Sequence, residues 1–256
     1  MILVLAGTVD GREIAANLMS AGHEVCVSVV SDYGKSLAEQ SGAKVQAAAM
    51  TDRELEQFIR DEKVRLVIDA THPYAVNVSR NAVKAAEWAQ VPCLRYERPG
   101  SRLPDYHKLL VARDMQEAAG LAVQAGKTIF LTTGSHTLGV FRAAANGTDC
   151  RLIARVLPQP EVLSACMDAG FSPADIVAVQ GPFSRELNLA LFREFGADVM
   201  VTKNSGTVGG TDSKIVAAME LDMTVVVVQR PPLEGKQVFG SMADLLEYIK
   251  RSSIGS

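Results

Sequence analysis

The sequence predicts an α/β protein built as two Rossmann-like domains in series, each a parallel sheet flanked by helices. Two observations carry that prediction. Short apolar runs rich in β-branched residues end in Gly, Thr, Ser or Asp and give way to longer stretches rich in Ala, Leu, Glu and Lys, the alternation of βα units. The length of 256 residues exceeds the roughly 100–150 of a common single domain.

In order, strands are expected at "ILVLAG" (2–7), "EVCVSVV" (24–30), "KVQAAA" (44–49), "RLVIDA" (65–70) and "CLRYER" (93–98). Helices fill the gaps over 11–20, 34–41, 52–62 and 75–90. The opening "MILVLAG" has no positive flank and is too short for a signal h-region or a spanning helix, so it reads as a first strand and the protein as cytoplasmic. Residues 99–107, "PGSRLPDYH", hold two prolines, a glycine and no apolar periodicity. That is a linker, and it divides the chain into domains 1–103 and 104–256. The rhythm then resumes at "KLLVA" (108–112), "TIFLTTG" (128–134), "CRLIARV" (150–156), "DIVAVQG" (175–181), "DVMVTKNSG" (198–206) and "TVVVVQRP" (224–231), with a last helix over 241–251.

Composition narrows the function classes. Hydrophobic residues at 48% and charged residues at 21% are ordinary globular usage, which argues against a disordered or fibrous chain. A net charge of -3 argues against a nucleic-acid partner, which needs a surplus of cations on one face. Cys26, Cys93, Cys150 and Cys166 form no CxxC and no His/Cys spacing, so they read as buried small residues in a reducing compartment, and no metal is expected.

In open α/β sheets ligands bind beyond the carboxyl ends of the strands, so the residues just past each apolar run carry the information. After the first run stands "AGTVDGRE". Gly7 permits a tight turn, Thr8 or Asp10 caps the next helix, and the helix N–H groups favour an anion. The glycines are Gly7 and Gly11 only, short of a full G-x-G-x-x-G, and an ordinary strand-to-helix turn explains them in isolation. Ser31 and Asp32 follow the second run, about 25 residues on, where an acidic residue meets a ribose hydroxyl; an inward Asp32 favours NADH over NADPH, and a helix cap beside Gly34 is the other reading.

The fourth run delivers "DATHPYA", placing Thr71, His72 and Tyr74 at the ligand edge with Pro73 starting a helix. A lone histidine there is more often a hydrogen-bonding group than a general base. In the second half, "LTTGSHT" supplies Thr132, Thr133, Gly134, Ser135 and His136. "VQGPFSREL" supplies Gly181, Pro182, Phe183 and Ser184, and Ser184 reads equally well as a plain helix cap with Glu186 nearby. The loop "VTKNSGTVGGTDSK" holds Lys203, Asn204, Ser205, Gly206, Gly209, Gly210 and Lys214; it lacks the P-loop order G-x-x-x-x-G-K-[ST], yet glycines beside two lysines suit carboxylates or phosphates. Arg98, Arg155, Lys203 and Arg230 all stand at strand ends, which points to an acidic substrate.

Taken together, "AGTVDG", "DATHPYA", "RYERP", "TTGSHTL", "ARVLP", "GPFS.EL", "VTKNSG..GG..SK" and "VVVQRP" resemble the precorrin-6A reductase family of cobalamin biosynthesis, including its cobalt-precorrin-6A branch. The resemblance spans nearly the whole chain, and its most specific pieces are the Thr-His-Pro-Tyr stretch and the Thr-Lys-Asn-Ser-Gly loop. It implies that a reduced nicotinamide cofactor gives hydride to a double bond of a corrin-ring precursor. It also implies that the cofactor binds mainly in domain 1–103, and that the tetrapyrrole lies against domain 104–256 in a cleft between the domains. On that basis Gly7, Thr8 and Asp10 are expected near the pyrophosphate, Ser31 and Asp32 near the ribose, and Thr71, His72 and Tyr74 near the nicotinamide, where His72 and Tyr74 position the reactants or transfer a proton. Thr133, Gly134, Ser135, Arg155, Lys203, Ser205, Gly206, Lys214 and Arg230 are expected to hold the ring's carboxylates. One departure stands out: the family often has Gly-Gly-Thr followed by an acidic residue and Ala, against Ala6-Gly7-Thr8 with Asp10-Gly11 here.

The expected cofactor is NADH or NADPH, with NADH favoured; the expected partner is a tetrapyrrole small-molecule substrate, without nucleic acid or membrane, and the protein is expected to be a monomer. Two rival readings are an NAD-dependent dehydrogenase of a small acidic metabolite, for which the usual Tyr-x-x-x-Lys pair is absent, and a redox-sensing nucleotide-binding protein without turnover.

Overall fold

The computed structural model describes residues 1–30, 42–206, 211–232 and 237–252. The chain forms two α/β units, Met1–Pro99 with Pro232–Ser256, and Gly100–Pro231.

In the first unit, strands β1 (Ile2–Leu5), β2 (Val25–Val29), β3 (Lys44–Ala47), β4 (Leu66–Asp69) and β5 (Cys93–Tyr96) run parallel. A sixth, Val238–Phe239, called β12 in chain order, pairs with β5, giving the order β12-β5-β4-β1-β2-β3. Helices α1 (Val9–Ser20), α2 (Asp52–Asp61), α3 (Val76–Ala89) and, from the C-terminal end, α9 (Met242–Arg251) cover the sheet.

The alternation of the strand pleat explains the two covered faces. Ile2 and Val4 of β1 cluster with Ile14 and Leu18 of α1 and Leu245 and Ile249 of α9. Leu3 and Leu5 point the other way, to Leu55 and Ile59 of α2 and to Ala82, Ala85 and Ala86 of α3. Burying each Leu or Ile stabilises the fold by roughly 1.5–3 kcal/mol. Thr51 starts α2 with a reciprocal cap: its side chain accepts from Glu54 N, and its own N–H donates to the Glu54 carboxylate at 2.8 Å.

The second unit holds β6 (Leu109–Ala112), β7 (Thr128–Leu131), β8 (Arg151–Val156), β9 (Ile176–Ala178), β10 (Val199–Lys203) and β11 (Thr224–Val228) in the parallel order β6-β11-β10-β7-β8-β9. Its helices are α4 (Met115–Ala125), α5 (Leu138–Ala145), α6 (Pro160–Asp168), α7 (Arg185–Glu194) and α8 (Thr211–Glu220). Leu189 and Phe192 of α7 and Ile215 and Ala218 of α8 bury against Phe130, Met200, Val225 and Val227.

Both sheets follow one winding rule. The chain moves outward through three strands (β1, β2, β3; β7, β8, β9), then returns to the other side of the first (β4, β5; β10, β11). The sixth place is filled by β12 in one unit and by β6 in the other. Each unit therefore has its own switch point, at β1/β4 and at β7/β10, where the crevice at the strand ends opens.

The domain boundaries differ from those read off the sequence. The first crossing falls at Pro99/Gly100, inside the expected linker, and residues 232–256 rejoin the first unit instead of completing the second. The physical cause is β12: Arg95 N donates to Gln237 O at 3.0 Å and Glu97 N to Phe239 O at 2.9 Å, while α9 inserts Leu245 and Ile249 into the first core. The helix expected over 34–41, with Ser31 and Asp32, lies outside the described residues, as do Gly209 and Gly210. Among the described residues no helix is long and apolar enough to cross a membrane, and no cluster of metal-ligating side chains occurs. All four cysteines are free, Cys26 and Cys166 buried, Cys93 and Cys150 only partly so.

Candidate functional site

At the first switch point the loop after β1 meets the loop after β4. A Cβ on Gly7 would stand 3.7 Å from His72 N and from Thr71 Cα, so these residues are neighbours. Thr8 joins the loops: its hydroxyl donates to Ala70 O at 3.1 Å and accepts from Gly11 N at 3.4 Å as the N-cap of α1. Gly11 is required by close packing, because a Cβ there would fall 2.7 Å from Ala6 Cα. Such helix-on-strand contact is what the last glycine of a dinucleotide fingerprint provides. The start of α1 thus presents backbone N–H groups at the strand edge, and these donors fit a pyrophosphate.

Asp10 sits in the first turn of α1, and its carboxylate is held by Arg98 Nη2 at 2.8 Å. Burial raises its pKa and Arg98 opposes the rise. A carboxylate repels phosphate, so in this first turn the backbone N–H groups, not the Asp10 side chain, are the groups suited to an anion.

Thr71 is bonded within the fold. Its hydroxyl donates to Asp69 Oδ1 at 2.7 Å and lies 3.0 Å from Arg95 Nη1, while Arg95 also pairs with Asp69 at 2.8 Å and Glu97 at 2.9 Å. Asp69 and Arg95 are 2% and 4% exposed, so this buried network fixes the end of β4. Sequence reasoning missed both; the signal was a charge inside each apolar run, "LVIDA" and "CLRYER". His72, half-buried, accepts the Tyr74 N–H at Nδ1 at 3.3 Å, and the two rings stand 5.6 Å apart. With Nδ1 accepting, the neutral ring carries its proton on Nε2. The arrangement is a turn that orients His72 and Tyr74 together.

At the second switch point β7 ends in Thr132, whose hydroxyl donates to Val201 O at 2.8 Å, and in Thr133, buried and 2.8 Å from the Thr137 hydroxyl. Gly134 turns the chain at φ 84, a region that favours glycine, and Ser135 follows, half-buried. Across from them β10 ends in Lys203, Asn204, Ser205 and Gly206. Asn204 clasps the first linker, accepting from Ser101 N at 3.0 Å and donating to Ser101 O at 3.2 Å, and its own carbonyl accepts from Arg230 Nε at 2.7 Å. Arg230 therefore contributes first to the linker clasp.

Besides Arg230, three predicted cations lie in this unit. Arg155, at 7% exposure, donates to Asn188 Oδ1 at 2.7 Å and lies over the Phe183 ring at 4.4 Å. Burial pushes it down to about 10. Lys203 is shifted down by burial, and Lys214 is pushed down to about 7 by burial and then by Arg155 and Lys203. Sequence reasoning missed Asn188, and placed Phe183 just past a strand without this role. Ser184 caps α7 through Leu187 N at 3.2 Å. A cavity of about 470 Å³ lined by Gly139, Arg142, Asn146 and Cys150 lies before β8, at the amino edge of the sheet, away from the β7/β10 switch point.

The family described as Precorrin-6x reductase CbiJ/CobK matches residues 1–250. A cobalt-precorrin-6A reductase of Priestia megaterium is 37% identical over 250 residues, 97% of this chain and 98% of that one. Its counterpart in Salmonella typhimurium is 36% identical over 98% of this chain and 95% of its own. A solved structure of CobK precorrin-6A reductase superposes with a TM-score of 0.79 at 25% identity, covering 100% of this chain and 97% of that chain. The two doubly wound sheets, the buried clamp after β4 and the cations of the second unit therefore belong to a member of the precorrin-6x reductase family.

Proposed function

We propose that this protein is a cobalt-precorrin-6A or precorrin-6A reductase, transferring hydride from a reduced nicotinamide cofactor to a double bond of the corrin-ring precursor. The observation that supports the substrate most directly is the pair of buried cations Arg155 and Lys214 with the half-buried Lys203, because a ring bearing acetate and propionate arms calls for cations. The first switch point supports the cofactor: α1 starts at the end of β1 with Gly11 packed on Ala6 and Thr8 capping.

The cofactor supplies the hydride when bound. The chain's own residues bind and orient. The α1 N–H groups take the pyrophosphate, the His72–Tyr74 turn sits beside the reacting groups, and Thr133, Gly134, Ser135, Ser205 and Gly206 line the ring site with the cations. The conjugated macrocycle accepts the electron pair, so alignment and exclusion of water are the main demands on the protein. NADH is preferred in this reading because Asp32 stands about 25 residues beyond Gly7, where a carboxylate meets a ribose diol and repels a 2′-phosphate.

The test is cofactor absorbance with and without the tetrapyrrole. Tetrapyrrole-dependent oxidation supports the assignment; none with competent substrate in hand overturns it. Asp32→Ala tests the cofactor choice: preference for NADH should fall, and unchanged selectivity removes that part.

A further inference from the structure

The chain passes from the first unit to the second at Pro99/Gly100 and returns at Pro231/Pro232. Just before the first crossing Arg98 is held by Asp10, in the first turn of α1, at 2.8 Å. Just after it Ser101 is held by Asn204, which accepts from Ser101 N at 3.0 Å and donates to Ser101 O at 3.2 Å. Each contact lies within its own unit, and Pro99 and Gly100 alone separate the two anchors.

The Asn204 amide satisfies both the donor and the acceptor of one backbone residue, as a paired strand would, and so fixes Ser101 more firmly than a single bond. Gly100 makes room for it, because a Cβ there would stand 3.1 Å from Asn204 Nδ2 and 3.2 Å from its Oδ1. Ser101 Oγ is buried and finds no partner among the described residues, so the Ser101 backbone makes the clasp. Asn204 is also bonded near the return crossing: its N–H donates to Val228 O at 3.2 Å and its carbonyl accepts from Arg230 Nε at 2.7 Å. It stands between Lys203 and Ser205, so both crossings are bonded to the loop given above to the ring's carboxylates. The spacer is stiff as well as short, since a proline fixes its own φ and confines the residue before it to extended conformations.

We propose that the Arg98–Ser101 segment is a tether that couples the two ligands, with Asn204 and Arg98 as positioning residues for hydride transfer. This rests on the function proposed above and deepens it, by naming what makes the α1 turn respond to the β10 loop. A ring seated at the β10 loop fixes Asn204, and Asn204 fixes Ser101. Through Pro99 the ordered segment fixes Arg98, and Arg98 fixes the Asp10 turn beside the pyrophosphate. A cofactor arriving second meets a turn already ordered, so each ligand tightens the other by one common factor.

The experiment uses the full chain, uroporphyrin as an anionic tetrapyrrole, and whichever of NADH and NADPH binds more tightly. Calorimetry gives cofactor affinity with and without saturating uroporphyrin, and rapid mixing with cobalt-precorrin-6A gives the single-turnover rate. In the wild type uroporphyrin should tighten the cofactor at least about fivefold, the low end for coupled sites. Asn204→Ala and Arg98→Met should each bring that factor to about one and slow hydride transfer by about ten- to a hundredfold, as lost alignment does. Combined, they should be no slower than the slower single variant, because one segment carries both effects. Ser101→Ala keeps the backbone bonds and should keep the coupling. Independent binding of the two ligands in the wild type overturns the proposal, as does the wild-type factor in Asn204→Ala, whatever that variant's Tm. Should Asn204→Ala fail to fold, the wild-type factor in Arg98→Met overturns it instead. Coupling that needs Asn204, without oxidation of cofactor by cobalt-precorrin-6A, would sink the reductase reading and leave the tether standing; turnover without coupling would do the reverse.

Discussion

Arg95 Nη1 lies 2.8 Å from Asp69 Oδ1, on neighbouring strands, with both side chains almost wholly buried and Thr71 bonded to each. The pair holds the β4 exit that carries His72. Asp69→Ala leaves a buried guanidinium with Glu97 alone, so a loss of about 3 kcal/mol is expected in urea unfolding, at the low end for a broken buried pair. Arg95→Lys should also destabilise, because an ammonium cannot reach Asp69, Thr71 and Glu97 together. A change below about 0.5 kcal/mol in both would show that the network is dispensable.

Gly11→Ala places a methyl group 2.7 Å from Ala6 Cα, where only backbone movement of α1 relieves the contact. A destabilisation of about 1–3 kcal/mol is expected, with weaker cofactor binding because the α1 N–H groups shift. Titration of NADH by fluorescence checks the second part; wild-type affinity in a destabilised variant would detach the α1 start from the cofactor.

His72→Ala should lower kcat by less than about tenfold, since His72 serves as the acceptor that shapes the turn with Tyr74. A general acid or base would contribute about 10²–10⁴-fold. Single-turnover rates decide: a loss in that larger range, with cofactor and ring binding intact, would promote His72 to a proton-transfer role.

Lys214 gives the pH dependence its sign. Its pKa is about 7 in the folded protein against an ordinary 10.5, so between those values the unfolded chain holds more protons and stability rises with pH. Below pH 7 both states are protonated and the penalty is present in full. Lys214→Met should flatten the slope of Tm against pH from 7 upward. Affinity for a carboxylate ligand should fall above pH 7, by up to about tenfold per pH unit for the one proton. A slope shared by wild type and variant would place the effect elsewhere.

The fold was largely legible because buried parallel strands announce themselves as apolar runs: β1, β4, β7, β10 and β11 each stand inside the stretch expected for them. What escaped was non-local. Val238–Phe239 is two residues long and becomes a strand only because β5 offers an open edge, so the return of 232–256 to the first unit had no periodic signal. At the sites, the strand-end rule brought Gly7, Thr8 and His72 to one crevice and Arg155, Lys203 and Lys214 to one unit. It could not tell ligand-facing groups from those spent inside the fold: Thr71 is absorbed by Asp69 and Arg95, and Asp10 by Arg98. Those partners come from other strands and loops, and no spacing in the chain records them.

The most direct measurement uses cofactor deuterated at the nicotinamide C4 position and mass analysis of the tetrapyrrole product. The account predicts that the product gains a single deuterium and that cofactor is oxidised in equal amount. Product without deuterium, or cofactor oxidation that does not depend on the ring, would contradict direct hydride transfer by this protein.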